Sequence, residues 1–176
     1  HYNRSVAPAD YHYFKVEVSG GLGGHSGGDI HLGHANANKV LARFLWNLGK
    51  THEIALAEID GGNLRNAIPR AAHAVIGVHT SHKEDVRIAF NHYVADIENE
   101  YKGLETTLKL DLVSVDAPEF CVDSTTSANV ISAIYSAPHG VVSMSRDLEG
   151  LVETSTNLAS VKMRPDNKIV VTTSQR

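Results

Sequence analysis

Cysteine is almost absent from this 176-residue chain, which contains only Cys121. A single cysteine cannot form an intramolecular disulfide, and it excludes zinc sites built from four cysteine ligands. Basic residues do not dominate either, because 16 Lys and Arg stand against 20 Asp and Glu. Nucleic acid is therefore not expected as a partner. No apolar run reaches the roughly 20 residues that a membrane-spanning helix requires, so no membrane partner is expected.

The overall composition is typical of a folded globular domain, with 42% hydrophobic and 20% charged residues. The low cysteine content is compatible with a reducing compartment, and we expect a cytoplasmic protein. The chain begins at His1 without a methionine or a signal peptide pattern, and it stops at Arg176 inside a predicted strand. We therefore expect a segment of a longer protein.

Glycine is concentrated between Gly20 and Ile30, where it accounts for six of eleven residues. The polar side chains among these glycines are His25, Ser26 and Asp29. Glycine allows a positive φ and lets another surface come close to the backbone. The stretch is predicted to be a loop that presents His25 to a ligand or a partner. A flexible linker is the alternative interpretation.

Regular spacing of apolar residues predicts the secondary structure. Alternation along the chain indicates strands, and spacings of three and four indicate helices. Ser81 and Glu84 form a capping-box pattern in front of the second helix, and His139 is predicted to begin a loop. The predicted strands cover residues 11–19, 53–59, 72–78, 108–115, 151–163 and 169–175, and the predicted helices cover 36–48, 83–102 and 125–135.

The predicted order of elements is βαββαβαββ, which indicates an α+β fold. The first six elements match a ferredoxin-like unit, with an antiparallel sheet and helices on one face. In a second interpretation the pattern βαββ occurs twice. The chain would then form two lobes over residues 11–80 and 104–176, joined by the helix over 83–102, each lobe with its own small antiparallel sheet.

A polar connection of about ten residues separates the second and third predicted strands, whereas a minimal hairpin needs only two to five loop residues. It carries two asparagines and two arginines, Asn63, Arg65, Asn66 and Arg70. Such a connection is a reasonable place for ligand contacts, and an ordinary surface loop is the alternative.

No complete catalytic or metal-binding motif is present. His31 and His34 are spaced by three residues with Asp29 nearby, so a metal is conceivable, but no motif such as His-Glu-x-x-His occurs. Ser26 lies directly beside His25, and adjacent residues rarely form a nucleophile and base pair. No metal or other cofactor is expected in this segment.

Three motifs nevertheless resemble one enzyme family. They are residues 19–30 followed by Ala35-Asn36-Ala37-Asn38-Lys39, residues 61–70, and residues 151–155. In this order and spacing they resemble the aminoacyl-histidine dipeptidases (Xaa-His dipeptidases), which are dizinc metallopeptidases related to other bacterial dipeptidases. The resemblance covers residues 1–176 as the lid or dimerisation domain of these enzymes. It implies that the zinc-binding catalytic domain lies outside this chain.

The resemblance implies that the intact enzyme hydrolyses Xaa-His dipeptides such as β-alanyl-histidine, using two zinc ions bound by the catalytic domain to activate water. His25 matches the family's lid histidine and would donate a hydrogen bond to the oxygen that becomes negative in the transition state. Asn66 matches a lid asparagine that helps to hold the substrate. Arg176 matches an arginine that binds the terminal carboxylate of the substrate.

The resemblance also implies the substrate dipeptide and the chain's own catalytic domain as partners, and it leaves two assemblies open. In a homodimer, His25 would serve the site of the neighbouring subunit. In a doubled lid, which the two-lobe interpretation favours, it would act within one chain. A free-standing ferredoxin-like binding or dimerisation module without catalysis is the alternative function.

Overall fold

A computed structural model describes residues 1–176 and shows an α+β fold, which confirms the predicted fold class. Single turns of 3₁₀-helix cover Ile30–Leu32 and Thr80–His82. The strands are β1 (Arg4–Val6), β2 (Tyr11–Ser19), β3 (Ala55–Gly61), β4 (Ala72–His79), β5 (Lys109–Val115), β6 (Phe120–Val122), β7 (Gly140–Met144), β8 (Val152–Arg164) and β9 (Lys168–Gln175), and the helices are α1 (Ala37–Gly49), α2 (Lys83–Glu100) and α3 (Ser124–Ser136).

Seven strands form one antiparallel sheet. Six of them follow the order β5-β2-β4-β3-β8-β7, and β9 pairs with β8. Strand β5, which belongs to the second predicted lobe, pairs with β2 of the first from Tyr13–Val115 to Ser19–Lys109. The expectation of a separate small sheet for each lobe is therefore corrected, because the sheet does not divide at the predicted lobe boundary.

The hydrophobic core lies between one face of the sheet and the three helices. On that face of the sheet, Phe14, Val16 and Val18 of β2 lie opposite alternate residues of β4. Helix α1 contributes the apolar stripe that its spacing predicted, namely Val40, Leu41, Phe44, Leu45 and Leu48, all buried. One cluster of 28 buried residues draws on all three helices and on both predicted lobes, so the whole chain shares a single core.

The N-terminus of α1 is anchored to the sheet by Asn36. Its side-chain oxygen accepts hydrogen bonds from the backbone N–H groups of Asn38 (3.0 Å) and Lys39 (3.3 Å). These are bonds that the first turn of a helix cannot make internally. Its amide nitrogen donates to the carbonyl oxygen of Leu158 in β8 (2.9 Å). One buried residue thus fixes both the start of the helix and its position over β8.

Strands β1, β6 and β7 were not predicted from the sequence. Strands β1 and β6 are three residues each and pair only with one another, so neither shows an alternating pattern. Tyr13 lies on the face of β2 opposite Phe14, yet it is buried, with its side chain beside Cys121 of β6. The Tyr13 hydroxyl donates to the carbonyl of Pro8 at 3.1 Å. Residues predicted as a loop after His139 form β7, a strand whose pairing with β8 is interrupted by register shifts.

The predicted capping box of α2 is wrong. The helix begins at Lys83, and no side chain caps it. Ser81 lies inside the preceding 3₁₀ turn, where its hydroxyl is 2.7 Å from Nδ1 of His79. Glu84 forms an ion pair with Arg87 at 2.8 Å instead of reaching back along the chain. The tight turn removed Ser81 from the N-cap position that the motif requires.

Candidate functional site

Backbone hydrogen bonds join the glycine-rich loop to the polar connection between β3 and β4. The N–H of Gly21 donates to the carbonyl of Arg70 (3.1 Å), that of Ile68 to Gly24 (2.9 Å), and that of Ser26 to Asn66 (2.9 Å). The two stretches that the sequence singled out independently therefore lie side by side. This pairing fixes the backbone on both sides of His25.

Glycine is required at position 24 by geometry. Gly24 has a φ of +133°, and a Cβ atom there would lie 2.8 Å from Cβ of Asp29. Asp29 approaches this closely because its carboxylate accepts a hydrogen bond from the N–H of His25 at 2.7 Å, and its own N–H donates to the carbonyl of His25 at 3.0 Å. The loop thereby closes into a compact turn around His25.

The imidazole of His25 is held in one orientation. Its Nδ1 accepts hydrogen bonds from the N–H groups of Gly27 (3.2 Å) and Gly28 (3.0 Å). A backbone N–H can only donate, so Nδ1 is unprotonated and the neutral ring carries its proton on Nε2. His25 is exposed. It therefore presents an Nε2–H donor to the outside of the chain.

Arg176 lies beside this donor, with its Nη2 atom 3.3 Å from Nε2 of His25. A guanidinium can only donate hydrogen bonds, so both facing groups are donors. The position next to both of them therefore suits a hydrogen-bond acceptor. Backbone hydrogen bonds in both directions with Ser155, each 3.0 Å, hold Arg176 in register with β8. Its side chain crosses Gly27, where a Cβ atom would lie 2.7 Å from Nη1. No acidic side chain pairs with Arg176, which leaves its charge available to an anion.

Asn66 lines the same cleft as His25. The cleft has a volume of about 610 Å³, and its wall includes both residues together with Leu64, Arg70 and the backbone between them. The side chain of Asn66 is exposed and makes no hydrogen bond within the chain, while its carbonyl accepts from Ser26. His25 therefore connects the predicted site residues, because it shares the cleft with Asn66 and contacts Arg176, which does not line that cleft.

Two polar residues on β8 support this arrangement: Ser155, the last residue of the third motif, and Asn157, which no motif included. Asn157 is fully buried, and its amide donates to the carbonyls of Arg65 (3.3 Å) and Ala67 (2.9 Å). The hydroxyl of Ser155 donates to the carbonyl of Ser26 at 3.1 Å. Ser155 thus holds the glycine-rich loop, and Asn157 holds the connection between β3 and β4. Their signal in the sequence was a run of polar residues inside a strand that the structure buries.

The predicted alternative of a metal at His31 and His34 has no support in the geometry. His34 places Nδ1 2.6 Å from the carbonyl oxygen of Gly23, so this ring nitrogen holds the glycine loop. His31 is exposed in the 3₁₀ turn. The group of possible metal ligands that the structure does bring together is elsewhere, at His52, His82 and Asp85.

A pair of zinc ions does not fit the residues around His25 either. Nδ1 of His25 is already hydrogen-bonded to two backbone N–H groups, and Asn66 and Arg176 add an amide and a cation rather than carboxylates. Asp29, the nearest acid, is bonded to the backbone of His25. The arrangement is suited to binding an anion rather than a metal.

A second histidine, His139, lies behind the start of α1. Its Nδ1 is 3.1 Å from the amide nitrogen of Asn36. Burial, followed by the positive charge of Lys39, lowers the pKa of His139 to about 4. Lys39 itself donates to the carbonyls of Ile134 and Ala137 at the C-terminal end of α3. This histidine is therefore neutral near pH 7 and belongs to the packing between α1, α3 and β8.

Comparison with known proteins identifies the kind of domain. A family described as a peptidase dimerisation domain matches residues 16–105, about half of the chain. The cytosol non-specific dipeptidase of Escherichia coli (strain K12) is 37% identical over 167 residues, which are 95% of this chain and 34% of that protein. The structure of aminoacylhistidine dipeptidase from Vibrio alginolyticus superposes with a TM-score of 0.92 at 32% identity, covering 98% of this chain and 35% of that one.

The chain spans about a third of the length of these two relatives. None of its helices combines the length and the apolar character needed to cross a membrane. The matches confirm the resemblance to the aminoacyl-histidine dipeptidases that the three motifs indicated. The chain belongs to the peptidase dimerisation domain family.

Proposed function

We propose that this chain is the lid domain of a longer metallodipeptidase that hydrolyses Xaa-His dipeptides such as β-alanyl-histidine. The observation that supports this most is the convergence of the Nε2–H of His25 and the guanidinium of Arg176, 3.3 Å apart and without an acidic partner. Two donors, one of them charged, suit a substrate that carries a carboxylate and develops a negative oxygen during hydrolysis. Both relatives are named dipeptidases, which supports a dipeptide substrate, and the name of the Vibrio alginolyticus enzyme supports a histidine in it.

Each of the three residues has one role in this proposal. His25 donates its Nε2 proton to the scissile carbonyl oxygen as negative charge develops there. The N–H groups of Gly27 and Gly28 hold the ring in place beforehand, so little reorganisation is needed during the reaction. Arg176 binds the terminal carboxylate of the substrate, and the free amide of Asn66 hydrogen-bonds the dipeptide in the cleft.

The two zinc ions implied by the family are assigned to the catalytic domain outside this chain, because the residues around His25 do not suit them. When bound there, they would supply an activated water. The lid contributes binding and charge stabilisation, and by closing over the substrate it excludes bulk water. The Escherichia coli relative is a cytosol dipeptidase, which supports a cytoplasmic location.

The family description supports a homodimer as the assembled form. Light scattering on the longer protein tests this, with twice the mass of one chain as the expected result. A monomeric mass would instead favour the doubled lid, in which His25 acts within its own chain.

The function is tested by measuring histidine release from β-alanyl-histidine in the presence of zinc. We expect activity from the longer protein that contains this chain and none from the 176-residue chain alone. Turnover by the chain alone would mean that it holds a catalytic centre, which would overturn the lid assignment. Inactivity of both would overturn the substrate assignment and favour the free-standing binding or dimerisation module.

A further inference from the structure

Three side chains of types that can bind metal ions lie close together outside the proposed site. His52 follows the end of α1, and His82 and Asp85 lie at the start of α2. One ring nitrogen from each histidine and one carboxylate oxygen lie within 4.8 Å of one another. None of the three takes part in the proposed binding of the dipeptide.

The distances within the group are compatible with three ligands of one ion. Nδ1 of His82 is 3.1 Å from Oδ2 of Asp85, while Nε2 of His52 is 3.7 Å from the same oxygen. The second distance is too long for a hydrogen bond. Two ligands with bonds of about 2.0–2.2 Å to one tetrahedral ion stand roughly 3.3–3.6 Å apart, so each of these two separations needs only a small adjustment.

The ring of His52 is already oriented for this role. Its Nδ1 lies 2.8 Å from the hydroxyl of Thr51, which leaves Nε2 directed towards Asp85. A hydrogen bond to the second ring nitrogen is the usual support of a metal-bound histidine. The side chain of His52 is only 16% exposed, so packing limits its freedom to turn away.

We propose that His52, His82 and Asp85 bind one divalent transition-metal ion, with zinc as the probe. Two imidazoles and one carboxylate form a ligand set that zinc accepts, and solvent can complete the coordination because His82 and Asp85 are half exposed. The ion would join the loop after α1 to the first turn of α2, which has no side-chain cap. This site is separate from the two zinc ions assigned to the catalytic domain.

The test is isothermal titration calorimetry of zinc chloride into the tag-free 176-residue chain, with circular dichroism to verify folding of each variant. We expect one ion per chain, and at least about 100-fold weaker binding in His52→Ala and in Asp85→Asn. Thr51→Val keeps all three ligands, and its affinity should fall by about 10-fold through loss of the supporting hydrogen bond. Magnesium, which prefers oxygen ligands, should not bind.

His73→Ala is the matched control, since His73 and Glu58 form a surface pair at 2.9 Å without a third ligand. Its zinc affinity should equal that of the unmodified chain. Absence of binding at millimolar zinc would overturn the proposal. So would binding that survives both His52→Ala and Asp85→Asn, or binding that His73→Ala weakens as much as they do.

Discussion

At the scale of single residues, the chemistry of the site depends on which atoms can donate hydrogen bonds. His25 is committed to donation from Nε2 because two glycine N–H groups occupy Nδ1. Arg176 adds a cation that has no acidic partner within the chain. Asn157, which contacts no proposed ligand, fixes the backbone that presents Asn66. The proposed function therefore depends both on the exposed donors and on the buried residue behind them.

The proposed role of Arg176 predicts dependence on the substrate's carboxylate. In the longer protein, Arg176→Ala should raise KM for β-alanyl-histidine by about 10- to 100-fold, the usual range for losing a hydrogen bond to a charged group. The corresponding amide, β-alanyl-histidinamide, lacks that carboxylate and should be hydrolysed equally by both forms. Steady-state kinetics on the two substrates measures this.

Arg164→Ala removes an exposed arginine at the β8–β9 hairpin and serves as the control. It should leave KM for both substrates unchanged. Equal losses on the acid and on the amide in Arg176→Ala would contradict the carboxylate assignment.

The lowered pKa of His139 predicts that the stability of the chain depends on pH. Its pKa is lowered from 6.5 to about 4 in the folded chain, so the unfolded chain binds a proton at higher pH than the folded one. The resulting stabilisation is fully present above the unfolded value and is lost as pH falls towards the folded value. It amounts to at most about 3 kcal/mol.

The measurement is urea unfolding of the original chain and of His139→Gln between pH 7 and pH 4. The amide of glutamine does not titrate, so the variant should lose less stability over this range. Parallel pH profiles for the two chains would show that His139 does not titrate as described.

At the scale of elements, strong periodic patterns were predictable and short elements were not. The alternation in β2 and the apolar stripe of α1 predicted both elements closely, because each has one buried face. Strands β1 and β6 depend on pairing between residues more than 100 positions apart, which no local pattern reveals. The capping box before α2 failed because local competition with a 3₁₀ turn decides where a helix begins.

The anchoring of α1 provides a prediction at this scale. Asn36→Ala removes the N-cap acceptor and leaves the carbonyl of Leu158 without its donor. These losses together should lower the free energy of unfolding by about 2–4 kcal/mol. Asn36→Ser keeps a capping oxygen, so its free energy of unfolding should lie between those of the original chain and of Asn36→Ala. Chemical denaturation of the three chains provides the comparison.

Asn99→Ala, at an exposed position of α2, is the matched control and should remain within about 0.5 kcal/mol of the original chain. If Asn36→Ala is as stable as this control, then α1 does not depend on its anchor to β8.

At the scale of the whole molecule, one sheet and one core unite segments that the second interpretation of the sequence had placed in two lobes. The two site motifs were recognisable from their unusual glycine and asparagine content. The position of the two motifs side by side could not be predicted, because it depends on backbone pairing between the loops and on Ser155 and Asn157 of β8. Long-range contacts of this kind leave little trace in local composition.

The central claim is that His25 stabilises the transition state for the catalytic domain, and the turnover of His25→Ala in the longer protein tests it most directly. We predict that kcat for β-alanyl-histidine falls by about 10²–10³-fold while KM changes little and the fold is unaffected. His25→Gln, which can still donate from its amide nitrogen, should recover part of the loss. A kcat within about threefold of the original in His25→Ala would contradict the account, since a donor worth only about 0.7 kcal/mol stabilises no transition state appreciably.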